Sequence, residues 1–403
     1  MPEVDFAADP VFDLEDRLAV LRETGRRIAP IKWKGAQAWV VLQYKDVSEL
    51  LGDEVNIPAA PEYLRNWDTQ GAQPLKMEGA AHRASRNVLE PPFKISQVRR
   101  MIDSLLVPLA DKLIDDFGER RELDLVSEFT RRYTFSVIAS ILGIEISNDR
   151  KEENELIRLL YDLLQGGKIP GADTPAARRR SSLDAVSKMN DFLRPTIEAR
   201  RREPKNDMIS ALIHAEEGGS PISEEKLYDY VRFLFPAGAE TTHTAIGRLM
   251  KNVLSDLSIR DRLIANPSER PTAVLESLRL TPASNLVPRT LVKDTVLCDV
   301  NISSGSTVLL AVTSGNHDPK VFTNPNVYSL DEKRKPILSF GVGPHHCLGH
   351  HLAKAEMETS LSRLLERLPG LRLAETPPPA MGTVFRWLPK LQVRFDDIRY
   401  PVR

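Results

Sequence analysis

The sequence predicts a mainly α-helical fold with small β-sheets at its edge, built as a single domain over residues 1–403. Three observations predict it. Apolar residues recur three and four apart, separated by charges, in residues 97–117, 124–141, 183–202 and 223–254, and again after Cys347. Strand signals are few and local. The 29 prolines fall mostly between the periodic stretches, where they leave the helical periods intact.

Each element follows from its own residues. Residues 223–254 form the longest helical pattern, with Pro236 and Gly238 in its middle. The run after Cys347 places Leu348, Leu352, Ala355, Leu361, Leu364 and Leu368 on one face, and Pro369-Gly370 ends it. Residues 37–44 (QAWVVLQY) read as a strand that pairs with 30–34 across Gly35. Further strands are expected between 286 and 312, around the turn residues Asp299, Asn301 and Gly305, and between 384 and 395. Residues 165–182 (QGGKIPGADTPAARRRSS) carry the weakest pattern and are expected to be a mobile helix-to-helix connection.

Composition excludes several classes. Lysine and arginine together number 55 against 56 aspartates and glutamates, so there is no electrostatic footprint for nucleic acid or an anionic membrane. The two cysteines, Cys298 and Cys347, are too few for a disulfide framework and point to a reducing compartment. The first residues are acidic and lack the charged-then-apolar pattern of a secretory signal. No stretch approaches the roughly 20 apolar residues of a membrane span. The expectation is a cytoplasmic protein with no nucleic-acid and no membrane partner.

The chemistry gathers around Cys347. Residues 340–349 read FGVGPHHCLG and pass directly into a helix. Two glycines before the cysteine allow a tight loop in which backbone comes close to a flat ligand. A cysteine at a helix start meets free N–H groups and the positive dipole end, which favour a thiolate and tune its electron donation to a metal. A thiolate with one open face suits haem iron. Two other readings stand beside this one. A lone cysteine before a helix can be a small buried residue. In HHCLGHH, Cys347, His350 and His351 share a helix face, as zinc ligands would, although zinc usually needs four and Cys298 is isolated.

Phe340, Gly341, Gly343, His345, Cys347, Gly349, Leu352 and Ala353 resemble the haem-binding loop of the cytochrome P450 family. The resemblance implies that Cys347 is the proximal ligand of haem b (Fe-protoporphyrin IX), that His345 contacts a haem propionate, and that Phe340 and Gly349 complete the loop. His346, His350 and His351 receive no role. Further motifs follow in the family's order. Glu276 and Arg279, three apart on one helix face, are similar to its Glu-x-x-Arg pair, with Arg334 as a candidate third partner. His82 and Arg86, four apart, resemble its propionate clamp, and Arg289 resembles another propionate-binding arginine. Residues 237–242 (AGAETT) look like its oxygen-binding groove, in which Ala237 and Gly238 open the helix and Glu240 and Thr241 handle protons. Such poor helix formers in mid-helix often mark a distortion or a function. The tail, residues 385–395, looks like the family's terminal hairpin, with Trp387 where glycine is common. His317 stands where the family usually has arginine.

The resemblance spans nearly the whole chain and implies a monooxygenase with the single-domain cytochrome P450 fold. Such an enzyme inserts one atom of O2 into a mostly apolar small organic substrate. No glycine-rich nucleotide fingerprint or iron–sulfur cysteine set is present, so a separate ferredoxin- or flavodoxin-type electron donor is implied. Lys333, Lys335 and Lys354 flank the loop and could receive it. Substrate contacts are expected from 57–76 (including Arg65), 160–182, Phe233, Leu234, 284–287 and Val384. A peroxide-driven enzyme typically lacks an acid–alcohol pair such as Glu240 and Thr241, and a haem gas sensor would show no turnover.

Overall fold

The longest helical pattern becomes the longest helix, Glu224–Ser255, and the rest of the chain is arranged around it. The structure is a computed structural model and describes residues 5–6, 11–58, 71, 73–147, 149–165, 175–331 and 335–400. The long helix starts where the Ser223 hydroxyl accepts the Lys226 N–H, with Glu224 and Glu225 in the first turn facing the positive dipole end. Helices Arg131–Leu142, Arg270–Leu280 and His350–Arg367 pack against it, so most of its residues between Leu227 and Leu254 are buried. Their apolar faces form one continuous core that includes Phe129, Tyr133, Phe135, Phe235, Leu249, Met250 and Leu361.

The other expected helices are present. Residues 95–115 run as one helix with a wider π turn at Ile102–Leu106. That turn lies just before Pro108, which has no N–H for the preceding turn. A second π turn, Val126–Thr130, leads into Arg131–Leu142, which stops at Gly143 in the left-handed conformation (φ 88°). Helix Pro175–Arg202 begins inside the stretch expected to be a loop, so part of that expectation is corrected; residues 166–174 lie outside the described residues.

The main sheet has four strands in the order Ile28–Trp33, Ala36–Val41, Thr307–Ala311, Leu286–Thr290. The first pair is the expected hairpin, with Ile28 opposite Val41 and Trp33 opposite Ala36. Ala36–Val41 and Thr307–Ala311 run parallel; Thr307–Ala311 and Leu286–Thr290 run antiparallel. Tyr44 is not in the strand. It opens the Tyr44–Leu51 helix, because its N–H donates to the Asp318 carboxylate (3.0 Å).

The tail departs most from expectation. Gln392–Arg394 pairs with Glu122–Asp124 and Arg372–Leu373, not with residues 385–388. Phe385 and Trp387 make only single bridges, to Ser284 and Met381. The cause is Arg386, whose buried guanidinium donates to the carbonyls of Val11 (2.8 Å), Gly382 (2.8 Å) and Phe12 (3.0 Å) and pairs with Glu15 (2.7 Å). The segment folds around that charge instead of extending. Among the described residues no helix is long and apolar enough to cross a membrane.

Candidate active site

The Cys347 loop is held by its own backbone. The Cys347 N–H donates to the Phe340 carbonyl (2.8 Å) and the His346 N–H to that of Gly343 (2.9 Å). This turn needs left-handed backbone at Gly341 (φ 71°) and Gly343 (φ 78°). A Cβ on Gly343 would also lie 2.8 Å from the Gly52 Cα, so two backbones touch there. The Gly349 N–H points at the Cys347 sulfur. Burial raises the Cys347 thiol above its ordinary range, while the Gly349 N–H and the Arg86 charge pull it down. The thiol therefore keeps its proton by itself, and a metal's charge must complete the change to thiolate.

The zinc reading finds no support. His350 donates from Nδ1 to the Cys347 carbonyl (3.0 Å) and packs against His346 and His351. Among the described residues, the one group of three whose ligand atoms lie within 4.8 Å of one another is Glu54, His82 and His345. Cys298 sits beside Asp46 and Arg27, its thiol raised to about 11, chiefly by burial.

The four expected propionate donors do converge. His82, buried on the Gly79–Leu89 helix, stacks on His345 with ring centroids 4.0 Å apart. The charges of His82, Arg289 and Arg86 all bear on His345. Burial first, then the neighbouring His82, pushes its imidazole down to about 4. Arg86 donates to the His346 (2.7 Å) and Pro344 (3.2 Å) carbonyls, tying its helix to the loop. Arg289 lies near the end of the Leu286–Thr290 strand. Two carboxylates that sequence reasoning missed, Glu54 (3.2 Å) and Glu78 (3.4 Å), face His345. The two come from separate segments of the chain, and no spacing in the sequence links either to His345. Two imidazoles and two guanidiniums beside a half-buried thiol form a donor set that fits iron plus the two carboxylates of a haem.

On the long helix, a run of partly open positions interrupts the buried face at Phe233, Ala237, Gly238, Glu240 and Thr241. Phe233, Ala237, Glu240 and Thr241 lie within about 100° of one another around the axis, so they form a strip. Gly238 serves packing. A Cβ there would meet the Ile138 side chain at 2.8 Å, so the glycine lets two helices approach. The Thr241 hydroxyl donates to the Ala237 carbonyl (3.0 Å), one turn back. The Glu240 carboxylate meets His243 (3.3 Å), a buried residue that sequence reasoning passed over although its i, i+3 spacing was visible. Helix continues through Pro236, which has no N–H to offer the Arg232 carbonyl.

Glu276 and Arg279 make two bonds with each other (2.7 and 2.8 Å). Arg279 also donates to the carbonyls of Asn316 (3.0 Å), Pro325 (2.7 Å) and Val327 (3.1 Å), and Glu276 accepts the Ser329 N–H (3.1 Å). Arg334, the candidate third partner, lies outside the described residues, as does Lys333. His317, hydrogen-bonded to the Thr313 carbonyl (2.7 Å), ends a short buried helix. Of the expected substrate segments, residues 59–70, 72 and 166–174 lie outside the described residues, Arg65 among them.

Known proteins bear on this geometry directly. The family model for "Cytochrome P450" matches residues 13–266 and 271–387. The chain belongs to the cytochrome P450 family. Members of this family are haem-iron monooxygenases that act on small molecules with O2 and redox partners, and this chain is an oxidoreductase of that kind. Relatives include cytochrome P450 107B1 of Saccharopolyspora erythraea, 29% identical and covering 95% of each chain. Another is the mycinamicin IV hydroxylase/epoxidase of Micromonospora griseorubida, 29% identical over 84% of each. The solved structure of the polyketide biosynthesis P450 PksS of Bacillus subtilis superposes with a TM-score of 0.83 at 25% identity, covering 96% of this chain and 98% of that one.

Proposed function

We propose that this cytochrome P450 oxidises a mostly apolar small organic substrate by insertion of one oxygen atom, with haem b held by Cys347. The observation that carries the reading is the pairing of two features: a half-buried cysteine held by a glycine loop, and a partly open strip of Phe233, Ala237, Glu240 and Thr241 on an otherwise buried helix. Haem bound there would supply dioxygen activation, which a thiolate ligand promotes. The chain's own residues do the rest. His82, Arg86, Arg289 and His345 orient the group through its carboxylates. Phe340, Gly349 and the loop backbone shield the sulfur. Ala237 keeps the strip low enough for a ligand to lie against it. Glu240 holds a proton at its carboxylate and Thr241 directs one through its hydroxyl, adjacent positions about 100° apart on the helix.

Electrons come from a separate ferredoxin- or flavodoxin-type donor in the cytoplasm, docking near Lys335 and Lys354. The Thr241 bond to Ala237 favours a competing reading for that residue, in which it only shapes the helix. Product formed per NAD(P)H consumed separates the two. Thr241→Ala should keep haem binding and oxygen consumption while diverting reducing equivalents to hydrogen peroxide. Glu240→Gln should slow turnover by about a hundredfold, since an amide cannot exchange a proton. Unchanged coupling in Thr241→Ala would leave that residue its helix-shaping role alone.

A further inference from the structure

Glu240 stands at the border of two helix faces. On one flank are Ala237 and Thr241. On the other, Pro236, Ala239 and His243 border a cavity of about 10 Å³, enough for roughly one water. Its polar lining is Arg131, Glu240 and His243; the facing helices close it with Phe135, Ile157 and Leu160. Nε2 of His243 lies 3.3 Å from Oε2 of Glu240, and the two side chains are 3% and 16% exposed. Arg131 opens the Arg131–Leu142 helix and is half-buried.

We propose that His243 is a positioning residue for Glu240, holding its carboxylate at the mouth of a one-water cavity through which protons reach it from the Arg131 side. This rests on the proton role proposed for Glu240. A carboxylate drawn fully toward Arg131 would be locked in an ion pair. An imidazole Nε2 lying 3.3 Å from Oε2 competes for that carboxylate and keeps it between the two faces. Each proton Glu240 gives up is replaced from the cavity water, which exchanges with solvent past Arg131, and no electrons move. The cavity walls are mostly apolar, and Arg131, Glu240 and His243 supply the polar partners for a water there.

The haem-loaded enzyme tests this with His243→Leu, His243→Gln, Leu160→Phe, Glu240→Gln and the His243→Leu/Glu240→Gln double variant. His243→Leu should lower kcat roughly tenfold with KM unchanged, less than loss of the proton donor itself. The solvent deuterium isotope effect on turnover should rise. His243→Gln, which can still donate to the carboxylate, should recover most of the rate. The double variant should be no slower than Glu240→Gln alone. Leu160→Phe fills the cavity without replacing a polar residue and should slow turnover in the same way, with the ordered water lost from a high-resolution crystal structure. Normal rate and isotope effect in both His243→Leu and Leu160→Phe, beside a slow Glu240→Gln, would overturn the inference. Normal behaviour in all the variants would instead overturn the proton role of Glu240. If His243→Leu fails to take up haem, Leu160→Phe and the crystallographic water decide the question.

Discussion

The region around Arg279 and the middle of the long helix solve opposite problems. Around Arg279 every polar group is matched: its five N–H donors meet Glu276 twice and the carbonyls of Asn316, Pro325 and Val327. The middle of the long helix instead combines a proline, a glycine against Ile138, and a threonine bonded to its own helix. The first arrangement fixes the chain beneath the Cys347 loop in one geometry. The second lowers local helix stability at the proposed place for ligand and proton passage. Rigidity on one side and give on the other are properties of the residues chosen, since both regions are packed into the same core.

The comparison can be broken first at its rigid end. Glu276→Gln leaves Arg279 buried, 4% exposed, without a countercharge, and should cost about 3–5 kcal/mol in urea unfolding of the haem-free protein. A loss under about 1 kcal/mol would mean that the carbonyls alone hold the arginine.

A titration sharpens the same side. Burial holds the His317 imidazole down at about 4, against an ordinary 6.5. The unfolded chain therefore takes up a proton there before the folded one does. His317 should contribute full stability above pH 6.5 and lose about 3 kcal/mol of it as pH falls to about 4. Denaturant midpoints of wild type and His317→Gln across that window should converge at low pH. Parallel curves would show that His317 titrates alike in both states.

Gly343→Ala probes the loop itself. The left-handed backbone (φ 78°) disfavours a side chain by about 1–2 kcal/mol, and the Gly52 contact adds to that. Reduced thermal stability with weakened haem uptake is expected; unaltered haem uptake would detach this contact from the site. The smallest effect belongs to the soft side. In Gly238→Ala the overlap with Ile138 costs about 1–3 kcal/mol. Better helix propensity returns about 1 kcal/mol. Combined with Ile138→Ala, which removes the overlapping Cγ1 and Cδ1, the loss should be smaller than the two single losses added, which a glycine needed only for flexibility would not show.

What was legible in the sequence was local. The glycines, the cysteine and the helix that follows lie within a dozen residues, so spacing alone reported their chemistry. The long helices were legible for the same reason, since their period repeats over many turns. Partners from distant segments were not. Glu54 and Glu78 reach His345 from other elements, and the carbonyls around Arg279 follow from a loop path that no side-chain motif encodes. The tail misled because Arg386 looks like an exposed strand residue until its burial beside Val11 and Glu15 is seen. The approach of Gly238 to Ile138 on another helix was equally out of reach of spacing.

The account rests on Cys347 as the sulfur ligand, and the carbon monoxide difference spectrum of the reduced, haem-loaded protein tests that most directly. Wild type and Cys298→Ser should both show the strongly red-shifted Soret band of thiolate ligation, and Cys347→His should lose it, because imidazole donates less charge to iron. A band that survives Cys347→His, or disappears with Cys298→Ser, would contradict the assignment.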